Sequence, residues 1–258
     1  MRAHGSSEAT VDSMREVRHW IQDANQISIL TGAGVSTDSG IPDFRGPKGV
    51  WTKNPEAEKM ATLQIYMSDP EVRKLAWQSR LKSAEIGAKP NAGHHALVEL
   101  ERRGKLHTLI TQNIDGLHLE AGHAADRIVE IHGTMQDVVC MECDERAPME
   151  RALARVRKGE EDPPCRSCGG ILKSATISFG QSLVSADLIR AQAGAENCDL
   201  MLAIGTTLAV YPAAGVVPLA KQCGARVVIV NAEPTEMDDI ADAMLRGSIS
   251  EIVPELTG

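Results

Sequence analysis

Aromatic side chains are scarce in this chain: two Phe, two Tyr and three Trp make up only 3% of its 258 residues. A core with so few rings must be aliphatic, and the rings that remain stand out as candidates for stacking or for lining a site. The two phenylalanines, Phe44 and Phe179, fit no amphipathic pattern; one follows Pro42-Asp43 and the other precedes Gly180. Long apolar runs are also lacking. None approaches the roughly 18 residues that a membrane-spanning helix needs, and the start MRAHGSSEAT has no apolar stretch of the kind a secretion signal carries. Positive charge is in deficit, with a formal net charge of -8. That balance argues against nucleic acid as an obligatory ligand, because phosphate binding needs a basic face. No internal repeat is visible. With 43% hydrophobic and 24% charged residues, the chain reads as globular and long enough for a large domain with a smaller companion.

Cysteine is sparse as well, but four of the six stand in two Cys-x-x-Cys pairs, Cys140 with Cys143 and Cys165 with Cys168. Each pair sits at a tight turn, the second followed by Gly169-Gly170. Two such pairs can close a tetrahedral thiolate cage around one zinc ion; disulfides are the second reading. Four thiolates leave no open coordination position, so this zinc is expected to be structural and the chemistry to lie elsewhere. Cys198 and Cys223 stay outside the scheme, and free thiols beside a thiolate cage point to a reducing cytoplasm.

Helical and strand patterns alternate along the chain. Val11 to Ala24 has apolar residues at helical spacing, followed by a buried strand, ISILT, at 27–31. Helices are predicted at Asp69 to Ile86, capped by Asp69-Pro70, and at Ala92 to Arg103, stopped by Gly104. Further helices are predicted at Ala186 to Asn197, Ala213 to Gln222 with Pro218 delaying or interrupting it, and Glu236 to Leu245. Strands are predicted at LHTLIT (106–111), RIVEIH (127–132), TISF (176–179), DLMLAIG (199–205) and RVVIVN (226–231). Short aliphatic strands between helices predict an α/β fold with a Rossmann-like parallel sheet covered on both faces. The expected organisation has a loose tail at 1–11 and a nucleotide-binding domain assembled from 12–45, 91–135 and 175–258. A helical insertion at 46–90 and a zinc module at 136–174, with its own helix from Pro148 to Lys158, would form a smaller lobe. A ligand is expected in the cleft between the two.

The first strand runs into Thr31-Gly32-Ala33-Gly34-Val35-Ser36-Thr37, a strand, glycine turn and helix start of the kind that holds a pyrophosphate. Thr37 occupies the third glycine position of the usual dinucleotide fingerprint, and no acidic residue sits at the end of a second strand about twenty residues on, which speaks against an ordinary dehydrogenase. The loop continues through Ile41-Pro42-Asp43-Phe44-Arg45, where Asp43 and Arg45 could bind an amide and a phosphate or ribose hydroxyl under Phe44. After LHTLIT come Gln112-Asn113-Ile114-Asp115, amides and a carboxylate at the strand end where parallel sheets bind ligands. The next strand ends at His132-Gly133, and an imidazole at that edge is a reasonable general base.

Together these segments resemble a sirtuin, an NAD-dependent protein-lysine deacylase. GAGVSTDSGIPDFRG (32–46), TQNIDGLH (111–118), IHG (131–133), the cysteine pairs, GTTLAVYPAA (205–214), NAEPT (231–235) and GSISEIVPEL (247–256) match that family in order and spacing. The resemblance spans about residues 12 to 256 and implies roles position by position. Gly32, Ala33, Gly34, Ser36 and Thr37 would hold the NAD phosphates, joined by Gly205, Thr206 and Thr207. Ile41 and Asp43, with Asn113 and Asp115, would receive the nicotinamide amide, and Phe44 would shield the reacting ribose carbon. Arg45, Trp51 and Gln112 would contact phosphate, nicotinamide and ribose; Asn231 and Glu233 the adenosine ribose; Ile249 the adenine. The acyl-lysine would enter past Phe179 and Gly180, with the Ile177 carbonyl on its amide nitrogen. Its carbonyl oxygen would attack the ribose carbon that bears nicotinamide, and His132 would then take a proton from a ribose hydroxyl. The acyl group would leave on ADP-ribose, and NAD would be consumed.

Three details depart from the commonest family pattern: Ser174 where proline is usual, Gln181 where glutamate is usual, and Thr207 for serine. The stretch PKGVWTKNP lacks the Tyr and Arg of members that prefer succinyl-lysine, so small neutral acyl groups are expected, acetyl first, with longer chains open. Two rival readings are a mono-ADP-ribosyltransferase and a non-catalytic NAD-sensing module. His132 counts against the first, and intact His132, Asn113 and Asp115 count against the second. His94, His95 and His107 read as structural or surface residues, and His118 and His123 receive no role.

Overall fold

The computed structural model describes residues 5–43, 49 and 56–258, with side chains from 13 onward in the first stretch and from 57 onward in the last. Phe44, Arg45 and Trp51 lie outside the described residues. Helix α1 (Gly5–Asp23) begins six residues before the apolar pattern predicts, because its first turns are polar and leave no periodic signal. Strand β1 (Ile27–Thr31) is buried at every position and leads into a 3-10 turn, Ala33–Ser39. Helices α2 (Glu56–Ala61), α3 (Leu63–Ser68) and α4 (Pro70–Ile86) follow. As predicted, Asp69 caps α4, its carboxylate accepting from the Glu71 and Val72 amides. Next come α5 (Ala92–Arg102), β2 (Leu106–Thr111), α6 (Leu117–Ala121) and β3 (Ile128–Glu130). The cysteine segment contributes β4 (Gly133–Cys140), β5 (Arg146–Pro148), α7 (Met149–Val156) and β6 (Leu172–Thr176). The chain closes with α8 (Ser185–Glu196), β7 (Leu200–Ile204), α9 (Val216–Gln222), β8 (Arg226–Val230), β9 (Ala243–Leu245) and α10 (Ile249–Thr257).

Six strands form one parallel sheet in the order β3-β2-β1-β7-β8-β9. Period-two alternation sends Ile27 and Ile29 to one face and Leu30 to the other. On the first face they join Val17 and Ile21 of α1, Leu97 and Leu100 of α5, and Val253 and Leu256 of α10. On the second, Leu30 and Ile110 meet Ala191 and Ala195 of α8 and Val216 and Val217 of α9. The winding direction reverses at β1, which has β2 on one side and β7 on the other. Ligands of open α/β sheets bind at such a switch point, beyond the carboxyl ends of the strands.

A second, antiparallel sheet has the order β5-β4-β6. Its core joins Val138, Cys140, Met149, Leu153, Cys165 and Leu172 to Trp77 of α4, and the Tyr66 hydroxyl of α3 donates to the Leu172 carbonyl at 2.8 Å. Helix α4 and the cysteine segment thus share one small core, and α3 is tied to it through Tyr66. Among the described residues no helix is long and apolar enough to cross a membrane.

The strand predicted at 176–179 lies earlier, at β6, and belongs to the small sheet rather than the parallel one. Residues beyond it run on in bridging contacts, with the Phe179 amide on the Ala61 carbonyl and the Leu63 amide on the Phe179 carbonyl. The helix predicted from Glu236 to Leu245 is instead a 3-10 turn, Asp238–Ile240, followed by β9. Asp242 holds this segment extended: its carboxylate accepts the Val227 amide at 2.7 Å and the Lys221 ammonium at 2.6 Å, so β9 pairs with β8. Pro218 sits in the first turn of α9, where a missing amide costs no helical hydrogen bond. Helix α10, with Pro254 inside it, had no predicted counterpart.

Candidate active site

Two glycine turns meet at the switch point. The Gly32 amide donates to the Ile204 carbonyl at 3.0 Å and the Gly34 amide to the Gly205 carbonyl at 2.9 Å. A Cβ on Gly32 would lie 2.7 Å from the Gly205 oxygen, and one on Gly34 would lie 2.7 Å from the Gly205 Cα. Gly205 itself has φ +64, and a Cβ there would lie 2.5 Å from the Val35 nitrogen. The glycines therefore clasp the loops after β1 and β7 together. The Gly32 and Gly34 amides are committed inside this clasp, so these residues fix the approach of the two loops rather than offer free donors. Ala33 opens the 3-10 turn, the exposed Thr37 donates its hydroxyl to the Gly34 carbonyl at 3.0 Å, and the Ile41 amide reaches the Ser36 carbonyl. Asp43 is half-buried further along the same loop.

Behind this turn lies a polar constellation built by the β1 and β2 ends. The buried Ser36 hydroxyl donates to Asp115 Oδ2 at 2.7 Å. Asn113, also buried, donates from Nδ2 to the Gly32 carbonyl at 3.1 Å and to Ser36 Oγ at 3.2 Å, while its amide donates to Thr111 Oγ1. The other Asp115 oxygen accepts the Leu117 amide at 2.9 Å. Gln112 donates from Nε2 to Thr206 Oγ1 at 2.9 Å, tying the β2 end to the β7 loop.

His132 follows β3. Its Nδ1 lies 3.0 Å from the Gln112 carbonyl, which can only accept, so Nδ1 carries the proton and Nε2 is left as the basic nitrogen. Burial pushes the His132 pKa down from 6.5, outweighing that carbonyl, so the ring is neutral near pH 7. The His132 carbonyl accepts the Ile177 amide at 2.7 Å, joining the imidazole's own residue to the segment that leads to the exposed Phe179 and Gly180. Half-buried Glu130 stands on the same edge, its pKa raised first by burial.

On the far side of β7, Thr206 is buried and Thr207 exposed. The Asn231 Nδ2 donates to the Glu233 carbonyl at 2.7 Å, and Arg246 donates to both the Asn231 and Glu233 carbonyls, which fixes the turn after β8. Ile249 starts α10 and is buried against Gly93. The predicted nucleotide and substrate residues named here thus border the carboxyl edge of the parallel sheet or the segment after β6, and the four cysteines lie apart in the small lobe.

His94, which in sequence reads as a structural or surface residue, adjoins this network. The Asn91–His94 capping box makes His94 Nδ1 an acceptor of the Asn91 amide at 3.3 Å, so Nε2–H faces Ser36 Oγ at 3.5 Å. Burial lowers its pKa to about 4, keeping it neutral. The spacing of Asn91 and His94 at a helix start carried this signal.

The four cysteine sulfurs all lie within 4.8 Å of one another. Cys140 and Cys168 are 3.5 Å apart and Cys143 and Cys165 are 3.8 Å apart. Four thiolates about 2.3 Å from one zinc have edges of about 3.8 Å, whereas a disulfide needs about 2.05 Å. The set fits a single tetrahedral zinc ion, and none of the six cysteines is in a disulfide. Cys140 and Cys165 also lie in the small core, so this metal ties both cysteine turns to Trp77.

The model of the Sir2 family matches residues 32–212. The chain is 51% identical over 230 residues to NAD-dependent protein deacetylase 2 of Streptomyces coelicolor, covering 89% of this chain and 95% of the relative. A Sir2 homologue variant in complex with ADP-ribose superposes with a TM-score of 0.85 at 35% identity, over 94% of each chain. Sir2Tm bound to a propionylated peptide superposes with a TM-score of 0.81 at 30% identity, over 93% of this chain and 95% of that one. The chain belongs to the Sir2 family.

Proposed function

We propose that this protein is an NAD-dependent protein-lysine deacylase, which moves the acyl group from a lysine side chain to ADP-ribose and releases nicotinamide. The observation that carries the reading is an imidazole with a bare Nε2 on the same sheet edge as the Ser36–Asn113–Asp115 network, beside the glycine clasp of the β1 and β7 loops. Similarity to a named deacetylase, and to a homologue bound to a propionylated peptide, supports deacylation over mono-ADP-ribosyl transfer.

In this reading NAD is a consumed co-substrate that supplies the ribose electrophile. Gly32, Ala33, Gly34, Ser36, Thr37, Gly205, Thr206 and Thr207 border its phosphates in this reading, with Gly32 and Gly34 letting the two loops that carry them pack together. Asn231, Glu233 and Ile249 border the adenosine end, and Gln112 the ribose. Asn113 and Asp115, with Ile41 and Asp43, receive the carboxamide; their hydrogen bonds to Ser36 and Gly32 hold them in one geometry before the substrate arrives. Phe44, Arg45 and Trp51 belong to the same loop system by sequence. His132 Nε2 takes the proton of a ribose hydroxyl, and the Gln112 carbonyl steadies the charge that develops on Nδ1–H. Ile177, Phe179 and Gly180 border the acyl-lysine. The zinc held by Cys140, Cys143, Cys165 and Cys168 supplies structure only.

The nucleotide-binding domain comprises 12–45, 91–135 and 175–258, and the small lobe 46–90 and 136–174. A four-cysteine zinc site beside the unpaired Cys198 and Cys223, with no disulfide, fits a reducing cytoplasm. Incubation with NAD and acetyl-, propionyl- and succinyl-lysine peptides, read by mass spectrometry, tests the proposal. Equal amounts of free lysine peptide, nicotinamide and acylated ADP-ribose are expected, with acetyl turned over faster than succinyl. NAD consumption with ADP-ribosylated protein and an intact acyl peptide would overturn it.

A further inference from the structure

Three histidines stack behind the Ser36–Asn113–Asp115 network: His94 and His118 with ring centres 4.8 Å apart, then His118 and His123 at 5.7 Å, edge to face. His118 and His123 are both buried, and each has one ring nitrogen, His118 Nδ1 and His123 Nε2, that meets no protein partner among the described residues. Buried polar atoms without partners call for an explanation, and here the surrounding hydrogen bonds fix what these two atoms are.

The Thr31 hydroxyl donates to Thr111 Oγ1 at 2.8 Å, so at its 3.0 Å contact with His118 Nε2 it accepts. His118 is therefore protonated on Nε2 and bare on Nδ1. His123 Nδ1 faces the Glu101 carboxylate at 2.5 Å, so it carries the proton there and its Nε2 is bare. Burial keeps both rings neutral. Two bare nitrogens on touching rings can both be satisfied by one molecule with two donors, which is water.

We propose that a buried water bridges His118 Nδ1 and His123 Nε2, and that His123 and Glu101 thereby act as positioning residues for Asn113. The water holds His118 in the tautomer that donates to Thr31. Thr31 then donates to Thr111, whose Oγ1 accepts the Asn113 amide at 3.1 Å through its second lone pair. With the other His118 tautomer, Thr31 would turn its hydroxyl toward the ring and its bond to Thr111 could re-form only with Thr111 as donor, which re-orients the hydroxyl that anchors the Asn113 turn. Glu101 reaches this column from α5 and also accepts the Ala124 amide at 3.0 Å, anchoring its outer end.

Side-chain 15N spectra of the histidine-labelled full chain and a high-resolution crystal structure test the water site directly. Protons on His118 Nε2 and His123 Nδ1 only, with one ordered water in reach of both bare nitrogens, are expected. A proton on His118 Nδ1 or His123 Nε2, or no water between them, overturns the proposal. The positioning role rests on the deacylase reading and is tested by kinetics. His123→Phe fills the space but keeps neither role, and kcat should fall roughly ten-fold with KM for NAD little changed. His123→Gln can donate to Glu101 and accept from the water, and should restore kcat to within about two-fold. Wild-type kcat in His123→Phe overturns the positioning role. If the wild-type chain itself fails to deacylate, the functional reading falls while the spectra still decide the water site, as they do if His123→Phe does not fold.

Discussion

Replacing Gly205 by alanine tests the clasp that brings β1 and β7 loops together. Two costs add at this position. Its φ of +64 suits glycine, and alanine there costs about 1 kcal/mol. The new Cβ would also lie 2.5 Å from the Val35 nitrogen and 2.8 Å from the Gly34 carbonyl carbon, both main-chain atoms that no rotamer change can move. Overpacking of that kind costs about 1–3 kcal/mol, so the total is about 2–4 kcal/mol. Gly104 supplies the control, with φ +72 and nothing within 4 Å of its Cβ position; Gly104→Ala should cost only about 1 kcal/mol. Urea denaturation of both variants measures the difference, which at about 2–4 °C per kcal/mol should also separate their melting temperatures. Calorimetric titration should show NAD binding weakened in Gly205→Ala and unchanged in Gly104→Ala. Equal stability and equal NAD affinity in the two variants would refute the clasp.

Removing zinc, by chelation or by Cys165→Ser, should unfold the small lobe first, because Cys140 and Cys165 lie in the core with Trp77; metal analysis should give one zinc per wild-type chain, and hydrogen exchange across 136–174 should rise while β1, β2 and β7 stay protected. Acid should destabilise the fold through His94. Its folded pKa, about 4 against 6.5 in the unfolded chain, means that the unfolded state binds more protons in that interval, so stability is full above pH 6.5 and falls as pH drops toward 4. At 1.36 kcal/mol per unit the loss from this group is about 3 kcal/mol, and His94→Gln should flatten that part of the urea-measured profile; an unchanged slope would contradict it. Because burial lowers the His132 pKa, the acid limb of kcat/KM should have its midpoint below 6.5, and a midpoint above 7 would exclude His132 as the neutral base.

The parallel sheet was legible because β1, β2, β7 and β8 are short aliphatic runs between helical stretches, and buried strands carry that signature. The glycine turn and the Gln112–Asp115 segment stood out because polar and flexible residues rarely follow such strands without a ligand to meet. Ala243–Leu245 was misread as helix because three residues carry almost no period, and only the Asp242 bonds to Lys221 and Val227 make them a strand. Residues 172–176 were displaced in the reading because small-sheet pairing with β4, not hydrophobic alternation, defines them. His94 reads in sequence as a structural or surface residue and His118 receives no role, because only packing sets His94 Nε2 against Ser36 and His118 Nε2 against Thr31.

The most direct test is His132→Ala, assayed for NAD binding and for release of free lysine peptide from an acetyl-lysine substrate. With His132 Nε2 as the base for the ribose hydroxyl, NAD should still bind while deacylation falls at least about 10²-fold. Deacylation at the wild-type rate would contradict the account.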